Sequence, residues 1–383
     1  MKKSIISIIL VLAIAMPMGI SVRAAPTTVS LALSAESALL MDASDGSVLY
    51  EKNAHEKKGM ASTTKIMTAL VAAEYGELDR LLTVPNAAIG VEGSSIYLTE
   101  GEQLSVRELL YALLLSSAND AAEALAILCN GSIESFTEKM NAKALSMGLS
   151  STHFVNPHGL YHEEHYTTAY ELALIARAAL EEPTVREIAA TYKYHIPKRD
   201  SCKERYLINH NKLLRLYDGA IGLKTGFTKK TGRCLVSAAT RNGLTLIAVT
   251  LSAPDDWNDH IKMLDCGFDL YESITVYEVG EFRYFLPLAG GKDGYLILSN
   301  TEAVILTLPK VRGELKEKIS LYHSFEIAPV YAGTVLGTLR CEVEGKYGES
   351  PLAAVCNSQA AQTRKPNFFQ RIFMFFAKLF SKG

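Results

Sequence analysis

The chain has 383 residues, a formal charge of −2 and 48% hydrophobic residues. That is enough to fill one large core or two medium ones. The near-neutral charge leaves no electrostatic footprint for nucleic acid, which is excluded as an expected partner.

The first element is a processing signal. Lys2 and Lys3 precede an apolar run from Ile5 to about Met18, and Val22-Arg-Ala24 offers small residues at the −3 and −1 positions. This reads as a secretory leader over residues 1–24, cut near Ala24, on an exported protein. The alternative is a retained anchor, but the run is short for a span and Pro17 interrupts it.

Ser37-Ala-Leu-Leu-Met-Asp42 and Val48-Leu-Tyr50 flank Asp45-Gly46, a hairpin signal. From Ala61 to Tyr75 the apolar period turns helical, with Ile66, Ala69, Leu70 and Ala73 on one face. Helices are expected over 105–115, 120–129, 133–147 and 168–181. Beyond about Leu180, β character returns. Glycines crowd Lys224-Thr225 on both sides, so residues 220–225 read as a strand. Strands over 234–240 and 244–252 surround Asn242-Gly243, the strongest two-residue hairpin signal. Strands from both ends enclose a helical middle. The fold class is therefore α+β over residues 25–275, an antiparallel sheet with helices packed on it.

Past Thr275 the runs are short, alternating and punctuated by Gly and Pro, with no long helix. This reads as a small all-β domain over 276–357, a spacer or docking module. Residues 358–383 read as a linker and a terminal helix. There Asn367, Arg371, Lys378 and Lys382 gather on one side, while phenylalanines, Ile372 and Leu379 cover the rest. Such a helix is too short and too charged to span a bilayer and lies in its interface. Docking on the protein's own core is the alternative.

The six cysteines show no Cys-x-x-Cys and no ligand spacing, so mostly free thiols are expected. His162-Glu-Glu-His165 lacks the spacing of zinc motifs and reads as a loop histidine pair. No metal and no cofactor is expected.

Three motifs carry the chemistry: Ser62-Thr-Thr-Lys65, Ser117-Ala-Asn119 and Lys224-Thr-Gly226. Each alone is weak. Together they supply a serine acyl-transfer site. A serine hydroxyl needs a nearby base, and Lys65 lies one helical turn from Ser62. Lysine acts as a base only when neutral; burial and the Lys224 cation would lower its pKa. Ser117 fits a proton relay, and Asn119 an amide that holds the substrate backbone. Asp120 is a candidate helix cap. Lys224 and Thr225 offer donors to a carboxylate, and Gly226 admits a substrate strand. The N–H groups of Ser62 and Phe227 would form an oxyanion hole.

The chain resembles the low-molecular-mass penicillin-binding proteins that are serine-type D-alanyl-D-alanine carboxypeptidases. The resemblance runs through Met60–Thr68, Ser117–Ala121, Phe154–Leu160, His165–Ala169, Asp218–Gly226 and, in the β domain, Ala328–Gly337. It implies that Ser62 attacks the penultimate D-alanine of a peptidoglycan stem peptide, with Lys65 as acylation base. It implies Ser117 and Lys224 in deacylation, and β-lactams as covalent inhibitors. It further implies a peripheral enzyme on the outer face of the cytoplasmic membrane, at work in cell wall biogenesis and cell shape. The chain departs from the best-known enterobacterial members at Phe227 (histidine there), Ala118 (glycine there) and Asn211-Lys212 (an arginine there), and looks closer to Gram-positive forms.

A D,D-endopeptidase that cuts cross-links would share all three motifs. A non-catalytic penicillin-sensing or wall-binding protein would show a broken motif, and all three are intact. A class A β-lactamase would need a loop Glu-x-x-Leu-Asn; Glu163 and Glu164 run instead into His165-Tyr166-Thr167.

Overall fold

The computed structural model describes residues 30–360. The expected leader and the expected tail helix lie outside the described residues. β1 (Ser37–Asp42) and β2 (Val48–Lys52) form the expected hairpin. A 3₁₀ turn, Ala61–Thr64, then runs straight into α1 (Lys65–Ala73). α1 is buried from Lys65 through Ala72 rather than on one face. Met67, Val71 and Ala72 extend its apolar surface beyond the expected stripe, and a helix apolar all round goes inside.

β3 (Leu81–Thr83) pairs with β4 (Gln103–Ser105). α2 (Val106–Leu115) opens on a reciprocal capping box between Ser105 and Glu108. α3 (Asn119–Asn130) ends at Gly131 in the left-handed region, the usual helix stop. α4 (Ile133–Ser146) and α5 (Ala169–Glu181) start on Ser132 and Thr168, whose side chains accept backbone N–H groups. α6 (Pro183–Ala190) corrects the expected return of β character after Leu180. Glu182 caps it and Pro183 takes its first turn, where no N–H is needed. The hairpin β5 (Lys193–Ile196) and β6 (Arg205–Ile208) and the short α7 (Leu213–Leu216) follow.

β7 (Ala220–Thr228), β8 (Gly232–Arg241) and β9 (Leu244–Leu251) complete an antiparallel sheet of order β2-β1-β9-β8-β7. The sheet sorts its side chains by strand alternation. Val236, Ile247, Val249 and Leu39 join one large core with α1, α2, α3 and α5. The other face meets α8 (Asp256–Leu270), to which the sequence reading gave no element, since its acidic first turn masks the apolar residues. Buried His260 of α8 bridges Ser237 of β8 and Thr250 of β9, and burial pushes its imidazole down to about 3, so the clip is neutral.

β10 (Tyr271–Tyr277) leaves α8 directly and straddles the expected boundary at 275/276. β11 (Tyr284–Ala289), β12 (Tyr295–Asn300), β13 (Val304–Pro309), β14 (Lys316–Leu321), β15 (Glu326–Ile327), β16 (Val335–Val343) and β17 (Lys346–Ala354) follow. β10 pairs with β13, and the rest form a sheet of order β14-β16-β17-β12-β11-β15. This region has its own core, built on Leu286, Leu298, Leu339, Cys341 and Leu352. The cysteines are free thiols.

One ion pair pins the loop before β4 to β6. Glu102, 4% exposed, accepts from both Arg205 Nη1 and Nη2 and from the N–H groups of Thr99 and Lys203. Burial alone would raise its carboxyl pKa, but Arg205 and the two N–H groups win and hold it at about 2, below the ordinary 4.5. A depressed acid stabilises the fold above its unfolded value, and that stabilisation fades as pH falls toward the folded one. Glu102→Gln is expected to cost about 3 kcal/mol at pH 7 by urea denaturation. The loss should shrink at pH 3, where the parent protein has itself begun to lose this contribution.

Candidate active site

Ser62 sits on the 3₁₀ turn and Lys65 opens α1, so one turn of backbone sets their spacing. Lys65 is fully buried. Its Nζ lies 3.0 Å from Ser62 Oγ, 2.7 Å from Asn119 Oδ1 and 2.6 Å from the His158 carbonyl. An ammonium fills all three contacts as a donor. A neutral amine has two N–H bonds and one lone pair. The Asn119 and His158 oxygens can only accept, so they take the two N–H bonds. The lone pair is left facing the Ser62 hydroxyl, the arrangement a base requires.

Burial first, and the Lys224 charge second, push Lys65 well below the ordinary lysine pKa; Asp120 opposes them. Lys224, 1% exposed, is itself lowered to about 7 by burial. Its Nζ donates to the Thr225 carbonyl at 2.9 Å.

Asn119 is the first residue of α3. Its Nδ2 donates to the Glu92 carbonyl at 2.6 Å, which leaves Oδ1 for Lys65. Asp120 does not cap the helix. Its carboxylate instead gathers Ser95 Oγ and the N–H groups of Ile96 and Leu98, which ties the 95–98 loop to α3. Ser117 is buried, with φ +58, on the turn where α2 stops and α3 begins.

A third segment, residues 154–165, closes over Lys65. Thr68 Oγ1 donates to the Pro157 carbonyl at 2.6 Å, beside the His158 contact to Lys65. His165 is more than a loop histidine. Its Nδ1 accepts from the Val155 N–H, so Nε2 carries the proton and donates to Thr64 Oγ1 at 2.7 Å. Thr64 then donates to the Ala61 carbonyl at 2.7 Å, inside the turn that bears Ser62. Burial, helped by neighbouring charges, lowers His165 to about 3 and keeps it neutral. Gly159, with φ +88, packs so tightly that a Cβ would stand 1.9 Å from the Ala61 oxygen.

β7 is an edge of the five-stranded sheet. It passes so close to the 3₁₀ turn that a Cβ on Gly226 would lie 3.0 Å from Ser62 N. Phe227 is 63% exposed beside it. Lys212 Nζ lies 5.9 Å from the Trp257 ring. His210, which sequence reasoning passed over, is the group of that segment sensitive to Lys224. Desolvation and then that charge push its imidazole below the ordinary value. The structure thus joins Ser62, Lys65 and Asn119 by hydrogen bonds, and sets Lys224 near enough to act on Lys65. Sequence reading missed the supporting parts, the His158 carbonyl, His165 and Glu92, because they act through backbone or through another residue.

Residues 22–255 match the family described as D-alanyl-D-alanine carboxypeptidase, Peptidase S11. The chain belongs to this family. It is 35% identical to D-alanyl-D-alanine carboxypeptidase DacF of Bacillus subtilis, over 85% of this chain and 86% of that protein. The fold is similar to penicillin binding protein 5 from Haemophilus influenzae, with TM-score 0.72 and 27% identity over 86% of this chain and 99% of that one. It is also similar to a peptidoglycan synthesis regulatory factor (PBP3) from Streptococcus pneumoniae, with TM-score 0.74 and 25% identity over 86% and 100%. The protein is a serine-type D-alanyl-D-alanine carboxypeptidase of the low-molecular-mass penicillin-binding class, acting on peptidoglycan.

The carboxypeptidase should show its paired lysines in a pH profile. Lys224 depresses Lys65, so Lys224→Gln lets the Lys65 pKa rise. The ascending limb of the penicillin acylation rate is therefore expected to move to higher pH. An unmoved limb, with only a lower plateau, would mean that the two amines do not interact.

Proposed function

We propose that Ser62 is the nucleophile and Lys65 its base, on the observation that the buried Lys65 Nζ lies 3.0 Å from Ser62 Oγ. The Ser62 oxygen bonds to the carbonyl carbon of the penultimate D-alanine as its proton passes to Lys65. The N–H groups of Ser62 and Phe227 hold the oxyanion. Lys224 and Thr225 bind the terminal carboxylate, Asn119 holds the stem-peptide backbone, and Gly226 gives that strand room. Ser117 relays a proton to the departing amine. The C–N bond breaks, D-alanine leaves, and water hydrolyses the ester on Ser62 with Lys65, Ser117 and Lys224 assisting. A β-lactam acylates the same oxygen. Its amine stays tethered to the acyl group by the opened ring and so blocks the path of the water.

We further infer that the enzyme is exported and works on the outer face of the cytoplasmic membrane, held there by the basic amphipathic segment between Asn367 and Lys382. Among the described residues no helix is long and apolar enough to cross a membrane. The β region over 276–357 serves as the spacer between that tail and the catalytic part.

Ser62→Ala should abolish covalent labelling by fluorescent penicillin and lower D-alanine release from a stem pentapeptide at least about 1000-fold. Retained labelling would remove Ser62 as nucleophile. Deleting residues 364–383 should free active enzyme from membranes on fractionation. Active enzyme that stays in the pellet would count against the tail as the principal anchor.

A further inference from the structure

The end of the β domain that holds Ser358 and Ala360, the last described residues, presents a group of exposed tyrosine, phenylalanine and aliphatic side chains. Strand pairing gathers Leu321 with Gly337, Val335 with Ala353, and Ala289 with Ile327 at this end. The connection to the catalytic domain lies at the other. There the Lys310 N–H donates to the Leu270 carbonyl, and Gly313 meets Glu344 in the turn between β16 and β17. At the far rim Tyr322, Phe325, Ile327, Tyr331 and Val355 are each between 47% and 68% exposed.

The segments that carry these side chains hold little free charge, and the charges at this end are Lys292 and Asp293 in the turn between β11 and β12. Residues 322–335 contain no Lys, Arg or Asp, and their one acid, Glu326, is engaged by His323 Nδ1 at 2.8 Å. Residues 354–360 carry no charge at all. The flanks of the same sheet bear Lys316, Glu317, Lys318, Arg340, Glu342 and Glu349. An exposed patch rich in tyrosine and aliphatic side chains, with few charges around it, suits a surface that is apolar on one side and wet on the other.

The last described residues are fastened into this rim. Ser358 bridges to Val330, and Ala360 bridges to Gly291. The basic amphipathic segment begins at Asn367, so the seven residues beyond Ala360 reach at most about 25 Å even when extended. Whatever surface the tail occupies therefore lies within reach of the rim.

We propose that this rim is a second lipid-contact surface, in which Tyr322, Phe325, Ile327, Tyr331 and Val355 seat in the bilayer interface beside the tail. It rests on the reading of the tail as an interfacial helix. Alone the rim is a weak contact. Tethered to a bound tail it acts at high effective concentration, adding affinity and fixing which end of the β domain faces the membrane.

The test uses the chain without its leader and vesicles of phosphatidylethanolamine and phosphatidylglycerol with brominated acyl chains. The native protein has one tryptophan, Trp257 in the catalytic domain, which serves as the internal control. Tyr331→Trp is expected to add fluorescence that the vesicles quench, while the native protein's signal stays unquenched. The pair Ile327→Asp and Tyr331→Asp should bind vesicles roughly tenfold more weakly with unchanged D-alanine release from soluble pentapeptide. Tail-dependent binding with no quenching at position 331, and Asp variants that bind like the parent, would overturn the rim and leave the tail reading intact. A native chain that does not bind vesicles would overturn both. A lipid-free dimer that the same Asp substitutions split, without any effect on vesicle binding, would assign the rim to a second copy and overturn the lipid contact.

Discussion

Everything in the catalytic domain turns on the cost of burying a charged amine. A lysine in water is an ammonium and no base. Lys65 is shut away from solvent, with a second buried lysine acting on it. Desolvation and like charge both disfavour the proton, and only Asp120 pulls the other way. The fold spends stability at this point to hold an amine that sheds its proton easily beside the Ser62 hydroxyl.

Keeping a lysine buried demands that its surroundings be rigid and polar at the right atoms. α1 is buried along nearly its whole length, so its first residue cannot retreat to water. Asn119 and the His158 carbonyl take two of the three Nζ contacts, and each is held in turn. Glu92 fixes the Asn119 amide, and the His165–Thr64–Ala61 chain braces the turn beneath Ser62. Two glycines make the close approaches: Gly159 against Ala61, and Gly226 against Ser62 N. The left-handed backbone at Ala61 and Ser117 falls on the turns that carry Ser62 and Ser117, which fits the tendency of strained positions to collect at functional sites.

Much of this was legible in the sequence. The β1–β2 and β8–β9 hairpins were marked by Asp45-Gly46 and Asn242-Gly243, and α2 to α5 by strong apolar periods. The contact between Ser62 and Lys65 came from motif spacing, because residues one helical turn apart face each other. What stayed hidden has a common cause. α6 and α8 begin in polar, proline-bearing or acidic stretches that weaken their periodicity. Glu92 and His158 contribute main-chain carbonyls, which leave no mark on residue type. His165 acts through Thr64, and the Asp120 carboxylate serves a loop some twenty-five residues away as well as the Ala121 N–H of its own helix.

The most direct test of the central claim is the protonation of Lys65 itself. Lysine side chains labelled with ¹⁵N can be titrated by NMR in the folded enzyme, with Lys65→Arg to assign the signal. The account predicts that the Lys65 nitrogen passes to the neutral amine well below the exposed lysines, which titrate near ~10.4. A Lys65 that stays an ammonium until it titrates with the surface lysines would contradict it, and the base for Ser62 would have to be sought elsewhere.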